Sequence, residues 1–346
     1  MGCSCAHLNP QTEMKNEIEE PAQVIQDNGG RVFSEVGLLK GANGLNNENN
    51  ENNENNENFD KYNKNNEDNE LFNSFQFIKT DKITKNELDT LCATNPPLDD
   101  GIEVEVREPV ESKNNKIIYY GEWDKNKNIR HGRGIQLWPE GARYLGYWKN
   151  DKACGKGKLL HYDGDIYEGD WVNDKPNGKG VYIHKDGTKY EGDWKDDKQN
   201  GHGKETWPDG ASYEGEYQDG KKQGIGKFSW SDGSTYEGCF LNNNINGKGK
   251  YIFADKREYF GDWVNNKLEG RGVFTWPDGR KYEGEYKDDK KDGYGEFQWS
   301  NGKKYKGHWK NGKQDGDGEF YFPSENMWKK GRWENGKRIE WIDNTD

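Results

Sequence analysis

The chain is poor in hydrophobic residues. Only 29% of its 346 residues are hydrophobic, 33% are charged, and the mean hydropathy is −1.35. No stretch approaches the roughly 18 apolar residues that a membrane-spanning helix needs, and no apolar segment near the N-terminus predicts a secretory signal. The sequence therefore argues against a large conventional core, and we expect a protein that neither spans a membrane nor is secreted.

Cysteine is also scarce, with five scattered residues: Cys3, Cys5, Cys92, Cys154 and Cys239. Their number is odd and no two form a C-x-x-C pair, which argues against a disulfide scaffold or a zinc site and favours a reducing cytosol. A strongly basic region is missing too, which argues against nucleic-acid binding. We expect no metal site and no cofactor.

The charged and aromatic residues divide the chain into two parts. Residues 1–120 hold 11 Lys and Arg against 23 Asp and Glu, whereas residues 121–346 hold 40 of each. All 14 Trp and 18 of the 19 Tyr lie after residue 118. Residues 46–69 are an Asn/Glu low-complexity run with almost nothing to bury. The sequence therefore predicts a disordered acidic N-terminal arm over residues 1–70.

Residues 71–118 are predicted to form a small α+β cap on the first edge of the body. Thr84 and Glu87 have the spacing of a capping box, which predicts a short helix that a Pro-Pro pair ends. A half-buried strand is predicted from the period-two alternation of three apolar residues: Ile102, Val104 and Val106. An apolar cluster precedes the helix: Leu71, Phe72, Phe75, Phe77 and Ile78.

From residue 119 onward the chain repeats itself with a constant period of about 23 residues, which predicts a repeat architecture. The tripeptide Gly-x-Gly begins at Gly132, Gly155, Gly178, Gly201, Gly224, Gly247, Gly270, Gly293 and Gly316. A second motif, Tyr-x-Gly-x-aromatic, begins at Tyr119, Tyr144, Tyr167, Tyr190, Tyr213, Tyr236, Tyr259, Tyr282 and Tyr305. The first interval of this second motif, from Tyr119 to Tyr144, is slightly longer than the others, and a decayed tenth copy follows near Gly331.

One copy of the unit reads YEGDW at residues 167–171, GKG at 178–180 and DG at 186–187. It resembles the MORN repeat (membrane occupation and recognition nexus), and the resemblance extends over residues 119–333. It implies an all-β fold, an elongated single-layer antiparallel sheet of about nine 23-residue hairpins. We assign residues 119–346 to this array, after the disordered arm and the cap.

Side chains alternate between the two faces of a strand. Tyr167, Gly169 and Trp171 are therefore predicted to share one face, and Gly178 and Gly180 are predicted to share a face on the return strand. A neighbouring ring can cover the space that a glycine leaves. The aromatic face needs to be covered by a partner, a second copy or its own rings. It is the candidate partner-binding surface, formed by Tyr167, Trp171, Tyr190, Trp194, Trp207, Tyr213, Trp230, Tyr259, Trp276, Tyr282 and Trp299.

The opposite face carries a column of basic residues, which is the candidate stripe for anionic lipid. It consists of Arg133, Lys156, Lys158, Lys179, Lys204, Lys227, Lys248, Lys250 and Arg271. The resemblance implies phosphoinositide headgroups as ligands. The alternative is a cross-strand charge ladder, because Asp and Glu residues alternate with these basic residues on the same face. The zero net charge of the body favours the ladder.

The N-terminal sequence MGCSCA predicts a lipid anchor. Gly2 is what N-myristoylation requires after removal of Met1, although Ala6 departs from the preferred Ser or Thr. One myristoyl chain binds membranes only marginally and no polybasic run follows, so the second signal is predicted to be palmitoylation of Cys3 and Cys5. The alternatives are a start sequence with two exposed thiols, or a C-x-C metal pair.

No catalytic site is predicted, since no Gly-rich phosphate loop, paired metal ligands or nucleophile elbow occurs in the sequence. We predict a non-enzymatic scaffold at the cytoplasmic face of a membrane (plasma membrane, cell cortex or cilium). It would link that membrane to cytoskeletal or signalling proteins. One alternative is a ciliary or axonemal structural protein similar to MORN-containing radial-spoke head proteins; another is a regulatory subunit of a phosphoinositide kinase. The resemblance also implies a homodimer.

Overall fold

The computed structural model describes residues 82–342, which fall into two compact units, residues 82–210 and residues 211–342. In this part of the chain the strands form one open antiparallel sheet of 21 strands. The predicted all-β fold with a single-layer antiparallel sheet is confirmed. The predicted arm over residues 1–70 and the apolar cluster over residues 71–78 lie outside the described residues.

The first unit contains the helix, the cap strand and eight repeat strands, and consecutive strands pair antiparallel. Its elements are α1 Lys85–Thr94, β1 Val104–Glu111, β2 Ile118–Asp124, β3 Arg130–Leu137, β4 Arg143–Lys149, β5 Lys152–Leu160, β6 Ile166–Val172, β7 Lys175–Ile183, β8 Lys189–Lys195 and β9 Lys198–Thr206.

The second unit contains twelve strands, again paired in chain order. They are β10 Ser212–Gln218, β11 Lys221–Ser229, β12 Thr235–Leu241, β13 Asn244–Ile252, β14 Glu258–Val264, β15 Lys267–Thr275, β16 Lys281–Lys287, β17 Lys290–Gln298, β18 Lys304–Lys310, β19 Lys313–Phe322, β20 Met327–Glu334 and β21 Lys337–Trp341.

Helix α1 begins at the predicted capping box. The Thr84 hydroxyl accepts from the backbone N–H of Glu87 at 3.4 Å, and the Glu87 carboxylate accepts from the backbone N–H of Thr84 at 2.7 Å. These bonds satisfy N–H groups that a helix otherwise leaves free at its first turn. Leu88 then packs against Tyr120 and Ile135, so the helix covers the start of the repeat sheet.

The cap strand is more exposed than its sequence pattern predicts. Val104 is half-buried as expected, but Ile102 and Val106 are 36% and 54% exposed, as is Val110 at 43%. The reason is the place where α1 packs, since the helix lies against β3 and not against β1. A period of two predicts which residues share a face, but it does not show whether another element covers that face.

The last hairpin, β20 and β21, is the decayed tenth copy. Gly331 pairs with Gly318 across the strands, and the Trp333 ring packs edge-on against Tyr305 with centroids 4.9 Å apart. Lys329 stands where the motif has its tyrosine. Trp333 is nevertheless buried, because its ring packs against Tyr305 of the preceding copy.

Candidate functional site

Each repeat is built around a tyrosine ring that covers two glycines. Tyr167 lies over Gly169 of its own strand and Gly180 of the next, and the two glycines face each other in register. A Cβ on Gly169 would lie 2.5 Å from the Cα of Gly180 and 2.6 Å from the carbonyl oxygen of Lys179, so only glycine fits. The Tyr167 hydroxyl donates to the carbonyl of Asp170 at 3.0 Å. The predicted packing of rings over glycines is confirmed.

The same hydroxyl bond recurs in all nine copies within the described chain, always to the carbonyl three residues on. Burial raises the pKa of Tyr144 and Tyr282 well above the ordinary tyrosine value, so their hydroxyls remain protonated donors. The motif's final aromatic ring packs edge-on, as Trp171 does against Tyr167 at 5.2 Å. Its indole N–H donates to the carbonyl of Gly157 at 3.0 Å.

The two glycines of Gly-x-Gly have different roles, which corrects the prediction that they share a face. Gly178 has a φ of 88°, and the strand register shifts between Gly169 and Trp171. This β-bulge turns Gly178 away from the rings, so a Cβ there would meet the Asp170 side chain at 3.0 Å. The Asp170 carboxylate also accepts the backbone N–H of Lys179 at 3.0 Å. Simple alternation fails because the bulge places three residues, 177–179, opposite Asp170 alone.

The rings predicted to bind a partner form the core of the sheet instead of an open surface. Eight of them are buried: Tyr167, Trp171, Tyr190, Trp194, Tyr213, Tyr259, Tyr282 and Trp299. Three are half-buried: Trp207, Trp230 and Trp276. The rings cover one another and the glycines, so most of this face is occupied by the chain itself. Its partner-binding role stays a prediction, which now concerns mainly the three half-buried tryptophans.

Seven of the nine residues in the candidate lipid stripe form ion pairs with carboxylates on adjacent strands. Lys156 and Lys179 each face an aspartate directly across the strands, with the charged atoms 2.7 Å apart in both pairs. The seven pairs are Arg133–Glu122, Lys156–Asp170, Lys158–Glu168, Lys179–Asp193, Lys248–Asp262, Lys250–Glu258 and Arg271–Glu285. The remaining two, Lys204 and Lys227, lie opposite Glu191 and Glu237 in register. The structure thus contains a charge ladder, and lipid binding by these residues stays a prediction.

Two acids of the ladder, Asp193 and Asp262, have pKa values below the ordinary aspartate value. Partial burial of Asp193 opposes ionisation, but hydrogen bonds from the Lys179 ammonium and from the backbone N–H of His202 outweigh it and lower its pKa. Asp262 has the same arrangement with Lys248 and the backbone N–H of Arg271. Each acid therefore serves both the bulge and the cross-strand ion pair.

Arg133 connects the repeat sheet to helix α1 of the cap. Its guanidinium donates to the carbonyls of Cys92 and Asn95 at 3.2 and 3.0 Å, at the C-terminal end of α1. Buried Arg143 pairs with Glu87 at the other end of the helix. A cation at a helix C-terminus and an acid in its first turn both suit the helix dipole. Arg133 therefore has a structural role that the sequence did not indicate.

A double-mutant cycle on Lys179 and Asp193 separates the ladder from lipid binding. We expect Lys179→Gln and Asp193→Asn each to lower the free energy of unfolding by about 0.2–1 kcal/mol, and the double variant to lose less than the sum. Binding to phosphoinositide liposomes should stay at the wild-type level in all three, and also in the control Lys195→Gln. Tighter binding by Asp193→Asn, together with weaker binding by Lys179→Gln, would instead assign these lysines to lipid.

A second column of inward-facing residues was not predicted from the sequence. It stands at one fixed position after each motif's final aromatic residue and comprises Ala153, Pro176, Gln199, Lys222, Ile245, Leu268, Lys291 and Gln314. In several copies the backbone N–H of this residue donates at 2.7 Å to the second turn residue of the next copy, as Ala153 does to Asp174 and Leu268 to Asp289. Its residue types vary so widely that no sequence pattern marks the column.

At Pro176 this hydrogen bond from the backbone N–H to the turn of the next copy is missing. Proline has no N–H, so Oδ1 of Asp197 is buried with no hydrogen-bond partner. Burial is the main cause that raises the pKa of Asp197, to about 6, and Lys175 opposes the rise only in part. A carboxylate with a raised folded-state pKa binds its proton more tightly in the folded than in the unfolded chain. Stability is therefore lost as pH rises from about 3.8 towards 6.

We expect Asp197→Asn to remove this pH dependence. Its free energy of unfolding should equal that of wild type near pH 4 and exceed it above pH 6, because the variant has no charge to desolvate. Pro176→Ala, which copies Ala153 of the preceding repeat, should restore the donor and return the pKa of Asp197 towards its ordinary value. Carboxyl chemical shifts followed by NMR across the titration test both. A midpoint for Asp197 near 4 in the wild-type protein would contradict the assignment.

The predicted acylation residues Gly2, Cys3 and Cys5 lie outside the described residues, so their modification stays a prediction. Between residues 82 and 342, no helix is both long and apolar enough to cross a membrane. In the same range, no group of three or more His, Cys, Asp or Glu side chains could hold a metal ion.

The repeat geometry agrees with the family found by comparison. The model of the MORN repeat matches residues 119–143, 144–166, 167–189, 190–212, 213–235, 236–256, 259–279, 282–304 and 305–327. These copies cover more than half of the chain, and the protein belongs to the MORN-repeat family. Its described part is accordingly a repeat scaffold. A search of curated proteins finds no match.

A comparison with solved structures finds several that are similar to parts of this chain. The TCP10 domain of Danio rerio CPAP, in complex with a peptide of Danio rerio STIL, is 14% identical; the match covers 61% of this chain and 94% of that one, with a TM-score of 0.38. The TCP domain of Drosophila melanogaster SAS-4, with a proline-rich motif of Ana2, is 15% identical over 43% and 81%, with a TM-score of 0.28. A streptogramin B lyase is 11% identical over 69% and 86%, with a TM-score of 0.14. Similarity at this level carries no conclusion about function.

Proposed function

We propose that this protein is a non-enzymatic scaffold that is tethered to a membrane by acyl chains at its N-terminus and holds protein partners on its MORN sheet. The observation that carries the scaffold role is the closed aromatic face. Because the rings and glycines of each copy pack on one another, the sheet is held by its own repeats. Its polar face and strand turns then remain for contact with partners.

The surfaces offered to protein partners differ between the two units. In the first unit Trp207 is half-buried at the end of the last repeat strand. In the second unit the polar face is interrupted by Ile225 and Phe260, which are 56% and 55% exposed where most other copies carry charged residues. Exposed apolar side chains on an otherwise charged face are typical of protein contacts. We propose cytoskeletal or signalling proteins as the partners, with a second copy of the chain as a further candidate.

The membrane tether follows from the physical chemistry of the first residues. A single myristoyl chain on Gly2 gives only marginal membrane affinity, and two palmitoyl chains on Cys3 and Cys5 would supply the missing second signal. This anchor would place the protein at the cytoplasmic face of the plasma membrane, the cell cortex or a cilium.

Metabolic labelling with clickable myristate and palmitate tests the tether. We expect both labels on the wild-type protein, loss of myristate in Gly2→Ala, and loss of palmitate in the Cys3→Ser/Cys5→Ser double variant. The Cys3→Ser/Cys5→Ser variant should leave the membrane fraction, because one myristoyl chain alone gives only marginal membrane affinity. Cys92→Ser is the matched control, since that thiol is half-buried within α1, and this variant should keep both labels.

An unlabelled wild-type protein that stays in a detergent-insoluble pellet would overturn the tether. The repeats would then be assigned to a cytoskeletal or axonemal structure, and the scaffold role itself would stand. If the wild-type protein is labelled but the Cys3→Ser/Cys5→Ser variant remains in the membrane fraction, another contact holds the protein there.

A further inference from the structure

Three lysines in the first unit stand at one position of consecutive repeats. Lys152, Lys175 and Lys198 begin β5, β7 and β9, each directly after a two-residue turn, and we name them the edge lysine column. All three are exposed, and within residues 82–342 none makes an ion pair. They differ in this from Lys156 and Lys179 of the polar face, which already face an aspartate.

The turn acids next to the first two lysines of the column, Asp151 and Asp174, are turned inward. Asp151 accepts the backbone N–H of Arg130 at 2.8 Å, and Asp174 accepts that of Ala153 at 2.7 Å. These carboxylates are held by the sheet and leave the neighbouring ammonium groups of Lys152 and Lys175 without a carboxylate within ion-pair distance. A partner with acidic groups at the right spacing can therefore pair with the column.

The spacing of the column is set by the sheet. Successive members are two strands apart, and strands lie about 4.8 Å apart, so the lysines recur about every 9.6 Å. In the chain's own sequence, residues 46–57 read NNENNENNENNE, with Glu48, Glu51, Glu54 and Glu57 at every third position. An extended polyproline II chain has three residues per turn and a rise of about 3.1 Å, so these glutamates would share one side and recur about every 9.3 Å.

We propose that residues 46–57 bind along the edge lysine column of the same chain, with three successive glutamates pairing with Lys152, Lys175 and Lys198. The two spacings agree so closely that a flexible lysine side chain accommodates the small difference. The charges are also complementary, since residues 1–81, which lie outside the described part, contain 15 Asp and Glu against 6 Lys and Arg.

The segment is within reach of the column. The carbonyl of Lys82 accepts from Arg143 at 3.1 Å, which ties the start of the described chain to the first residue of β4. The column begins just after the far end of that strand, about 20 Å away. Residues 58–81 connect the two, and a linker of about 24 residues would span about 27 Å even as a random coil. Binding within one chain is therefore geometrically allowed.

Zero-length carbodiimide cross-linking of the full-length protein tests the proposal, because it joins carboxylates to amines that already form ion pairs. Trypsin releases the glutamates in one peptide, residues 41–61, so their cross-links are read directly by mass spectrometry. We expect cross-links from this peptide to concentrate on Lys152, Lys175 and Lys198. About 1 M salt should reduce them at least fivefold, because it shortens the Debye length to about 3 Å.

The matched control keeps the charge and changes only the spacing. In this variant residues 46–57 retain four Glu and eight Asn, but the four Glu are contiguous, and we expect at least fivefold fewer cross-links to the column. An equal yield, or cross-links spread over exposed lysines such as Lys156 and Lys179, would overturn the proposal. Mixing isotopically light and heavy protein identifies the chain involved: cross-links joining a light to a heavy chain would replace the intrachain contact by one between copies.

Discussion

Gly169→Ala should lower the free energy of unfolding of the first unit by about 3 kcal/mol or more, because overpacking against side chains alone typically costs about 1–3 kcal/mol. The new Cβ would overlap the Cα of Gly180 and the carbonyl oxygen of Lys179, as well as the Tyr167 hydroxyl. Two of these three overlapping atoms belong to backbone, so no rotamer change relieves them. Urea unfolding followed by tryptophan fluorescence measures the loss, since Trp171 packs on Tyr167.

Gly141→Ala is the matched control for this prediction. Gly141 lies in the same unit with a φ of 96°, and a Cβ there would meet nothing within 4 Å. Only the backbone conformation penalises alanine at this turn, which costs about 1 kcal/mol. Equal losses in the two variants would show that the ring and strand contacts around Gly169 relax, and would contradict the close packing described for the repeat.

Gln314→Leu should stabilise the second unit by about 2 kcal/mol, because each unpaired buried polar group costs about 1–3 kcal/mol. The Gln314 side chain is fully buried, and neither its amide nitrogen nor its amide oxygen has a hydrogen-bond partner. Leucine has a similar volume and already occupies the same column two copies earlier, at Leu268, where it is 2% exposed. A higher urea midpoint for the second unit, with unchanged circular dichroism, is the expected measurement.

The reverse exchange, Leu268→Gln, tests the same reasoning in the same column. It should destabilise the protein by a similar amount, because it introduces an amide at a position where the leucine is 2% exposed. The paired exchange also separates polarity from shape, since both variants swap the same two side chains. Loss of stability in Gln314→Leu would mean that the native amide is hydrogen-bonded in solution.

The repeat unit could be predicted from its residues because its contacts are local. Tyr167, Gly169 and Gly180 lie close together in the sequence, and alternation along two adjacent strands brings them into contact. The capping box of Thr84 and Glu87 was predictable for the same reason, since both partners lie in one helical turn. These contacts could be predicted because the residues that form them are close together in the sequence.

Other features depended on contacts that no local pattern encodes. The β-bulge at Gly178 turns this glycine away from the rings that cover Gly180. Nothing in the sequence distinguishes the two glycines of Gly-x-Gly. The orphaned Asp197 depends on Pro176 of the preceding copy and on the absence of a single N–H group. The two roles weighed for the basic column could not be separated by sequence, because the same lysines serve a ladder or a lipid site. The ion pairs of Lys156 and Lys179 appear only once strands are in register.

The sequence by itself determined the class of fold, the repeating hairpin and the identity of the core rings, because a regular period places equivalent residues in equivalent contacts. Only the tertiary structure decided which surfaces remain open. It closed the aromatic face with the chain's own rings, left the cap strand exposed and assigned Arg133 to the end of α1. Burial and ion pairing depend on what lies across a strand or against a face, and those neighbours are set by register and docking.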